Sequence, residues 1–311
     1  MTVLCLCDPN APADVEPLPA GIEVRVWQPG ADSAEDAPQW AAEVDMLVPA
    51  YTESSISDHA LARFTALRVV QLLSAGVEPW LGRLPDGVAL CSGRGVHGAS
   101  TAELAIAGIL NQLRRLAEFR ALQLRGEWPD LAAARTESLD GTRVLVIGAG
   151  DIGSRVADVC RTLGAEVTLV ARRARDGVHA TAELPALLPA HEIVVLAIPR
   201  TPQTEAMVDV PFLAAMPDGA LLVNVSRGVL VDTDALLAET VTGRLRAFLD
   251  VTDPEPLPAG HPLWRTPGVT ITPHIGGGTT GWRRRAYALV REQVIALHER
   301  RPLRNVVTDG Y

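Results

Sequence analysis

The chain is 311 residues long, enough for two domains of ordinary size rather than one. It is 48% hydrophobic and 21% charged, which excludes a disordered or collagen-like polymer. A net charge of −9 argues against nucleic acid or an anionic membrane as main partner, since both need a cationic face.

No apolar stretch approaches the roughly 20 residues that span a bilayer. Residues 1–8 have no basic lead-in and read as a buried strand, not a signal peptide. Short β-branched or aliphatic runs follow at 3–7, 22–27, 46–48, 69–73 and 88–91. They are nearly all apolar instead of alternating, the pattern of parallel strands covered on both faces. Cys5, Cys7, Cys91 and Cys160 form no CxxC or Cys/His cluster. They read as reduced, buried thiols of a cytoplasmic protein, with no metal site.

Residues 100–125 read as one long helix, with Leu104, Ala107, Ile109, Leu113, Leu116 and Leu122 near helical spacing. A second series of apolar runs covers 143–147, 167–170, 193–198, 221–225, 247–251 and 269–272, with helices expected at 152–163 and 232–239. The Pro-rich stretch 253–267 reads as a structured loop, and 282–299 as a closing helix rich in Arg on one side. The expected fold is α/β: two doubly wound parallel-sheet domains.

The first chemical signal is Thr142-Arg-Val-Leu-Val-Ile-Gly148-Ala-Gly150-Asp-Ile-Gly153. A GxGxxG by itself is weak, but here it follows an apolar strand and opens a helix. Gly148 permits the tight turn, Gly150 lets backbone approach a pyrophosphate, and Gly153 lets helix and strand pack closely. The helix N-terminus offers free N–H groups to the anion. A dinucleotide with a free ribose 2′-OH is usually met by Asp or Glu about 20 residues on. This chain has Ala171, Arg172 and Arg173 there, which favours a 2′-phosphate and hence NADP, with NAD possible.

Further segments occur in a fixed order. They are Leu73-Ser-Ala-Gly-Val-Glu78, Thr101-Ala-Glu103, Ile198-Pro-Arg-Thr-Pro-Gln-Thr204, Asn224-Val-Ser-Arg-Gly228, Leu249-Asp-Val251 with Glu255-Pro256, and Pro273-His-Ile-Gly-Gly277. Together with the glycine turn they resemble the D-isomer-specific 2-hydroxyacid dehydrogenases over nearly the whole chain. That family includes glyoxylate/hydroxypyruvate reductases, phosphoglycerate dehydrogenases, and formate and phosphite dehydrogenases.

The resemblance implies a Rossmann NAD(P)-binding domain over 97–275 and a flavodoxin-like substrate domain over 1–96 and 276–311, with a cleft between. It implies a catalytic triplet of Arg227, Glu255 and His274. Reducing a carbonyl carbon leaves negative charge on oxygen, so a proton donor and a fixed cation are both needed. His274 suits the acid/base role. Glu255 on the other ring nitrogen would hold the tautomer and favour the imidazolium. Arg227 would bridge the substrate carboxylate and carbonyl oxygen, and backbone N–H groups of Ala75, Gly76 and Val77 would take the other carboxylate oxygen.

For the cofactor, the resemblance implies Gly148, Gly150, Asp151, Ile152 and Gly153 at the turn, and Arg172 and Arg173 beyond the next strand. Farther along it implies Pro199 and Thr204, Val225 and Ser226, then Asp250, His274 and Gly276, with Asp250 receiving the nicotinamide carboxamide. Glu78 stands where many members have Asp. Tyr51, Trp80, Trp128 and Trp282 are candidates to line or cover the pocket.

The expected activity is NAD(P)H-dependent reduction of a small 2-oxo acid to the (2R)-2-hydroxy acid, by a homodimer joined near residues 100–125. Two alternatives stay open: a phosphite- or formate-type dehydrogenase, and a non-catalytic dinucleotide sensor of the corepressor type.

Overall fold

The computed structural model describes residues 1–29, 37–51, 56–130 and 132–308. The chain forms two compact units, Met1–His97 with Gly278–Tyr311, and Gly98–Gly277. These limits fall one and two residues beyond the expected boundaries, and positions 309–311 of the expected substrate domain lie outside the described residues.

The first unit begins with β1 (Thr2–Leu6), α1 (Pro12–Val15), β2 (Ile22–Val26), β3 (Met46–Val48), α2 (Asp58–Leu61), β4 (Val69–Gln71) and β5 (Ala89–Cys91). Its parallel sheet has the order β2-β1-β3-β4-β5, the flavodoxin-like winding. β1 is buried along its whole length, which is why its sequence is apolar at consecutive positions.

The second unit holds α3 (Gly98–Leu113), α4 (Leu116–Leu124), β6 (Arg143–Ile147), α5 (Asp151–Thr162), β7 (Glu166–Ala171), β8 (Val178–Ala180), α6 (Leu184–Leu187) and β9 (Ile193–Leu196). It continues with α7 (Val210–Ala215), β10 (Leu221–Asn224), α8 (Thr233–Val241), β11 (Arg246–Leu249) and β12 (Val269–Ile271). The sheet order is β12-β11-β10-β9-β6-β7-β8, all parallel, a Rossmann winding with an added edge strand. β9 and β10 are buried at every position, consistent with helices on both faces.

Finally α9 (Trp282–His298) returns to the first unit and buries Ala286, Tyr287, Val290 and Val294 against its sheet. Gln293 Nε2 donates to Gln71 Oε1 at 2.8 Å, and both side chains are fully buried, so this polar pair joins α9 to β4.

Two expectations change. The single helix over 100–125 is broken, because Arg115 adopts φ 52 in the left-handed region. Its guanidinium donates to the carbonyls of Ala133 and Arg135, at 2.9 and 3.2 Å, and pairs with Glu118. Bonds to a distant loop thus hold a turn that helical periodicity does not reveal. The buried face of α3 is Ala102, Ala105, Ile106, Ile109 and Leu113, whereas Ala107 is exposed and Leu104 half-buried. β8 was not anticipated, since three half-exposed residues on a sheet edge carry almost no pattern.

Candidate active site

Because the second unit's strands are all parallel, the segments that follow them emerge on one edge of the sheet. The glycine turn follows β6, Arg172 and Arg173 follow β7, and Pro199 and Thr204 follow β9. Val225, Ser226 and Arg227 follow β10, Asp250 and Glu255 follow β11, and His274 and Gly276 follow β12. The winding reverses between β6 and β9, the position where doubly wound sheets bind ligands.

At the turn, Gly148 has φ +119, and a Cβ there would lie 2.1 Å from the Ala197 carbonyl oxygen. A Cβ on Gly153 would lie 1.7 Å from the Gly148 carbonyl oxygen, so only glycine lets α5 start so close to β6. Gly150 has open space where its side chain would stand and forms the N-cap of α5. These features fit a pyrophosphate against the first turn of α5, beside Ile152. The Asp151 carboxylate accepts from Arg155 Nε at 2.9 Å, and its Oδ2 lies close to Gly98.

Arg172 and Arg173 are exposed, and among the described residues neither forms an ion pair. Arg175 belongs to the same basic run but not to the expected cofactor residues, and its guanidinium donates to the Ala149 carbonyl of the turn at 3.1 Å. Its signal was available as the third arginine of the same run. The three cations and the absence of a carboxylate at Ala171 suit a 2′-phosphate.

The segment after β9 shapes itself. Thr204 Oγ1 accepts from the Thr201 N–H at 2.8 Å and donates to the Pro199 carbonyl at 2.9 Å. Buried Ser226 bonds back to β9, its hydroxyl donating to Leu196 O at 2.8 Å and accepting from Ile198 N–H at 3.1 Å. Asn224 Oδ1 accepts from the Ser226 N–H, while its Nδ2 donates to the Arg227 carbonyl. The Asn-Val-Ser-Arg-Gly run is therefore a pinned loop, with Val225 buried and Arg227 extended at its tip. The Arg227 guanidinium donates to the Ser226 carbonyl at 2.8 Å.

Asp250 is 2% exposed. Its carboxylate accepts from Thr272 Oγ1 at 2.6 Å and from the N–H groups of Ile275 and Gly276 at 2.9 Å. Asp250 thus ties the end of β11 to the loop after β12. That loop carries His274 at φ 51, an uncommon backbone state for a residue with a side chain. Its N–H donates to the Asp250 carbonyl at 2.8 Å.

His274 Nδ1 lies 2.6 Å from Glu255 Oε1. A carboxylate only accepts, so Nδ1 carries the proton and Nε2 is the ring atom left to face a reactant. The pair is accessible, with side chains 48% and 41% exposed.

In the first unit, Ala75, Gly76 and Val77 link β4 to a short 3-10 turn. Among the described residues none of their three N–H groups has an acceptor, although Val77 is fully buried. Consecutive unpaired donors are the kind of backbone group that can accept an anion. The aromatic candidates separate. Trp80 is a core residue at 5% exposure and Trp128 is almost wholly exposed, while the rings of Tyr51 and Trp282 pack at a tilt, 4.7 Å between centroids. Burial in the core removes Trp80 from the pocket-lining set.

A family profile described as D-isomer specific 2-hydroxyacid dehydrogenase, NAD binding domain, matches residues 106–276. A glyoxylate/hydroxypyruvate reductase A of Serratia proteamaculans is 34% identical over 272 residues, covering 83% of this chain and 82% of that protein. The chain belongs to the D-isomer specific 2-hydroxyacid dehydrogenase family.

Solved structures agree. The D-isomer specific 2-hydroxyacid dehydrogenase of Xanthobacter autotrophicus, in complex with NADPH and MES, is 28% identical with a TM-score of 0.83, covering 100% of this chain and 99% of its own. A family protein of Aeromonas salmonicida is 26% identical with a TM-score of 0.84, covering 99% of both chains. This dehydrogenase is an NAD(P)-dependent oxidoreductase with a Rossmann unit. Among the described residues no group of three or more His, Cys, Asp or Glu side chains could hold a metal ion, and no helix is long and apolar enough to cross a membrane.

Proposed function

We propose that this dehydrogenase reduces a small 2-oxo acid to the (2R)-2-hydroxy acid, with NADPH preferred and NADH possible. The observation that carries the reading is the 2.6 Å bond between His274 Nδ1 and Glu255, on the sheet edge that also bears Arg227 and the glycine turn. The NADPH-bound Xanthobacter relative supports the cofactor choice, together with the arginines after β7. When bound, the dihydronicotinamide supplies the reducing equivalent to the substrate carbonyl carbon.

The chain's own residues do the rest. Gly148, Gly150, Asp151, Ile152 and Gly153 hold the pyrophosphate through backbone donors, and Arg172 and Arg173 grip the 2′-phosphate. Pro199, Thr204, Val225, Ser226, Asp250, His274 and Gly276 frame the nicotinamide end. Arg227 binds the substrate carboxylate and polarises the carbonyl oxygen as negative charge develops there. The Ala75, Gly76 and Val77 amides take the other carboxylate oxygen. The doubly protonated ring of His274 gives its Nε2 proton to the carbonyl oxygen and keeps the one on Nδ1, where Glu255 fixes the ring.

The protein is assigned as a cytoplasmic homodimer. All four cysteines are free and buried, which suits a reducing compartment. α4 buries none of its residues, and its Leu116 and Leu124 are exposed at 54% and 71%, a face that a second copy would cover. Loss of NADPH absorbance with glyoxylate, hydroxypyruvate and phenylpyruvate tests the reading. Turnover of at least one is expected; NADPH binding without turnover of any would overturn it.

A further inference from the structure

The backbone leading into the Ala75–Gly76–Val77 segment is held from one side by the strand next to it. Leu72 N–H donates to the Cys91 carbonyl at 2.8 Å, and Gly93 N–H donates to the Ser74 carbonyl at 2.6 Å. Gly93 is so close that a Cβ on it would stand 2.5 Å from both the carbonyl carbon and oxygen of Leu73. Backbone hydrogen bonds therefore hold the 71–72 and 74–75 peptides, and the Leu73 carbonyl between them is met by a side chain. His97 Nε2 lies 3.0 Å from Leu73 O. The histidine is 8% exposed, and its ring is flanked by Tyr51 at 5.1 Å and Trp282 at 6.0 Å between centroids.

A carbonyl oxygen only accepts, so Nε2 must carry a proton in this contact. The orientation of the Leu73 peptide sets the direction of the chain that follows it. Past Ser74 the three residues Ala75, Gly76 and Val77 are bonded locally, by Ser74 Oγ donating to the Gly76 carbonyl at 2.8 Å and by Trp80 N–H donating to the Val77 carbonyl at 2.9 Å. Three unpaired amides can converge on one anion only if their peptide planes are fixed beforehand, and a small misplacement weakens each bond.

We propose that His97 is a positioning residue for substrate binding. By donating from Nε2 to the Leu73 carbonyl, with its ring packed at a tilt against Tyr51 and Trp282, it presets the Ala75, Gly76 and Val77 amides to receive a carboxylate. This rests on the reading that those amides take the substrate carboxylate. His97 itself touches neither substrate nor cofactor in this role. The inferred ligand class is a small 2-oxo carboxylate, and the effect falls on its affinity more than on the chemical step.

The test uses the full chain with NADPH bound. His97→Leu and His97→Met remove the donor in two different shapes, and His97→Gln restores an N–H at similar reach. Each is measured for kcat, for KM of whichever 2-oxo acid the wild type reduces, for NADPH Kd, and for Tm. Oxamate binding, followed by the fluorescence of bound NADPH, gives a readout that needs no turnover. The expected result is a KM and an oxamate Kd raised about tenfold or more in a folded donor-less variant. kcat should change less than threefold, NADPH Kd less than twofold, and His97→Gln should recover most of the affinity. Wild-type KM and oxamate affinity in either donor-less variant would overturn the proposal, as would an equal loss in His97→Gln. If the wild type bound oxamate but reduced no 2-oxo acid, the reaction assignment would fail while the role of His97 stayed measurable through oxamate.

Discussion

Gly228 and Thr252 approach so closely that a Cβ on Gly228 would lie 1.8 Å from the Thr252 carbonyl oxygen. The loops after β10 and β11 thus touch backbone to backbone, next to Arg227 on one side and Glu255 on the other. Gly228→Ala cannot be absorbed by a rotamer change, because the obstructing atoms belong to the main chain. It should destabilise the fold by about 1–3 kcal/mol and lower kcat/KM more than tenfold. Urea unfolding and steady-state kinetics on the same preparation check this; wild-type values in both would show that the two loops move independently.

His274→Ala removes the ring positioned by Glu255 and should reduce kcat about 10²–10⁴-fold. NADPH affinity should stay within a few-fold. Glu255→Gln keeps a group that can meet the ring but removes its charge, and a smaller loss of kcat is expected. A fully active His274→Ala enzyme would end the acid/base assignment.

Arg172 and Arg173 have no carboxylate to neutralise them among the described residues, so their charge is available to a ligand. Replacing both by Ser should lower kcat/KM for NADPH about 10–100-fold, the scale of one or two charge-assisted hydrogen bonds. kcat/KM for NADH should change less than threefold. Equal losses with both cofactors, or a wild type that favours NADH, would contradict the 2′-phosphate assignment.

Acid stability tests a cluster in the first unit. Burial by itself would push the Asp8 carboxyl up, but Arg283, the Asn10 N–H and the Tyr287 hydroxyl outweigh it and hold it below the usual carboxylate range. A carboxyl held lower in the folded than in the unfolded chain adds stability above its unfolded value and loses it as pH falls. Asp8→Asn should therefore cost about 1–3 kcal/mol at pH 7, and the difference from wild type should shrink below about pH 4. Urea midpoints at pH 7, 5, 4 and 3 measure it; a gap that widens on acidification would reverse the sign argued here.

The two-unit α/β architecture was legible in the chain because fully buried parallel strands must be apolar at consecutive positions. The runs at 46–48 and 143–147 coincide with β3 and β6 residue for residue. The glycine turn was legible for a related reason: backbone approaching backbone leaves no room for a Cβ, so the constraint is written as Gly148 and Gly153 themselves. Helical periodicity, by contrast, could not show the break at Arg115, whose cause is a set of bonds to residues near 133. Nor could it show that the Asp250 carboxylate is spent on Thr272 and two backbone amides, or that His97 reaches Leu73 from 24 positions away. The 2.6 Å pairing of His274 with Glu255 belongs to the same group. Residue types fixed which chemistry was available, since they act locally through size, charge and backbone freedom. Which groups meet was decided only by the winding of the sheet, which brings loops distant in sequence to one edge.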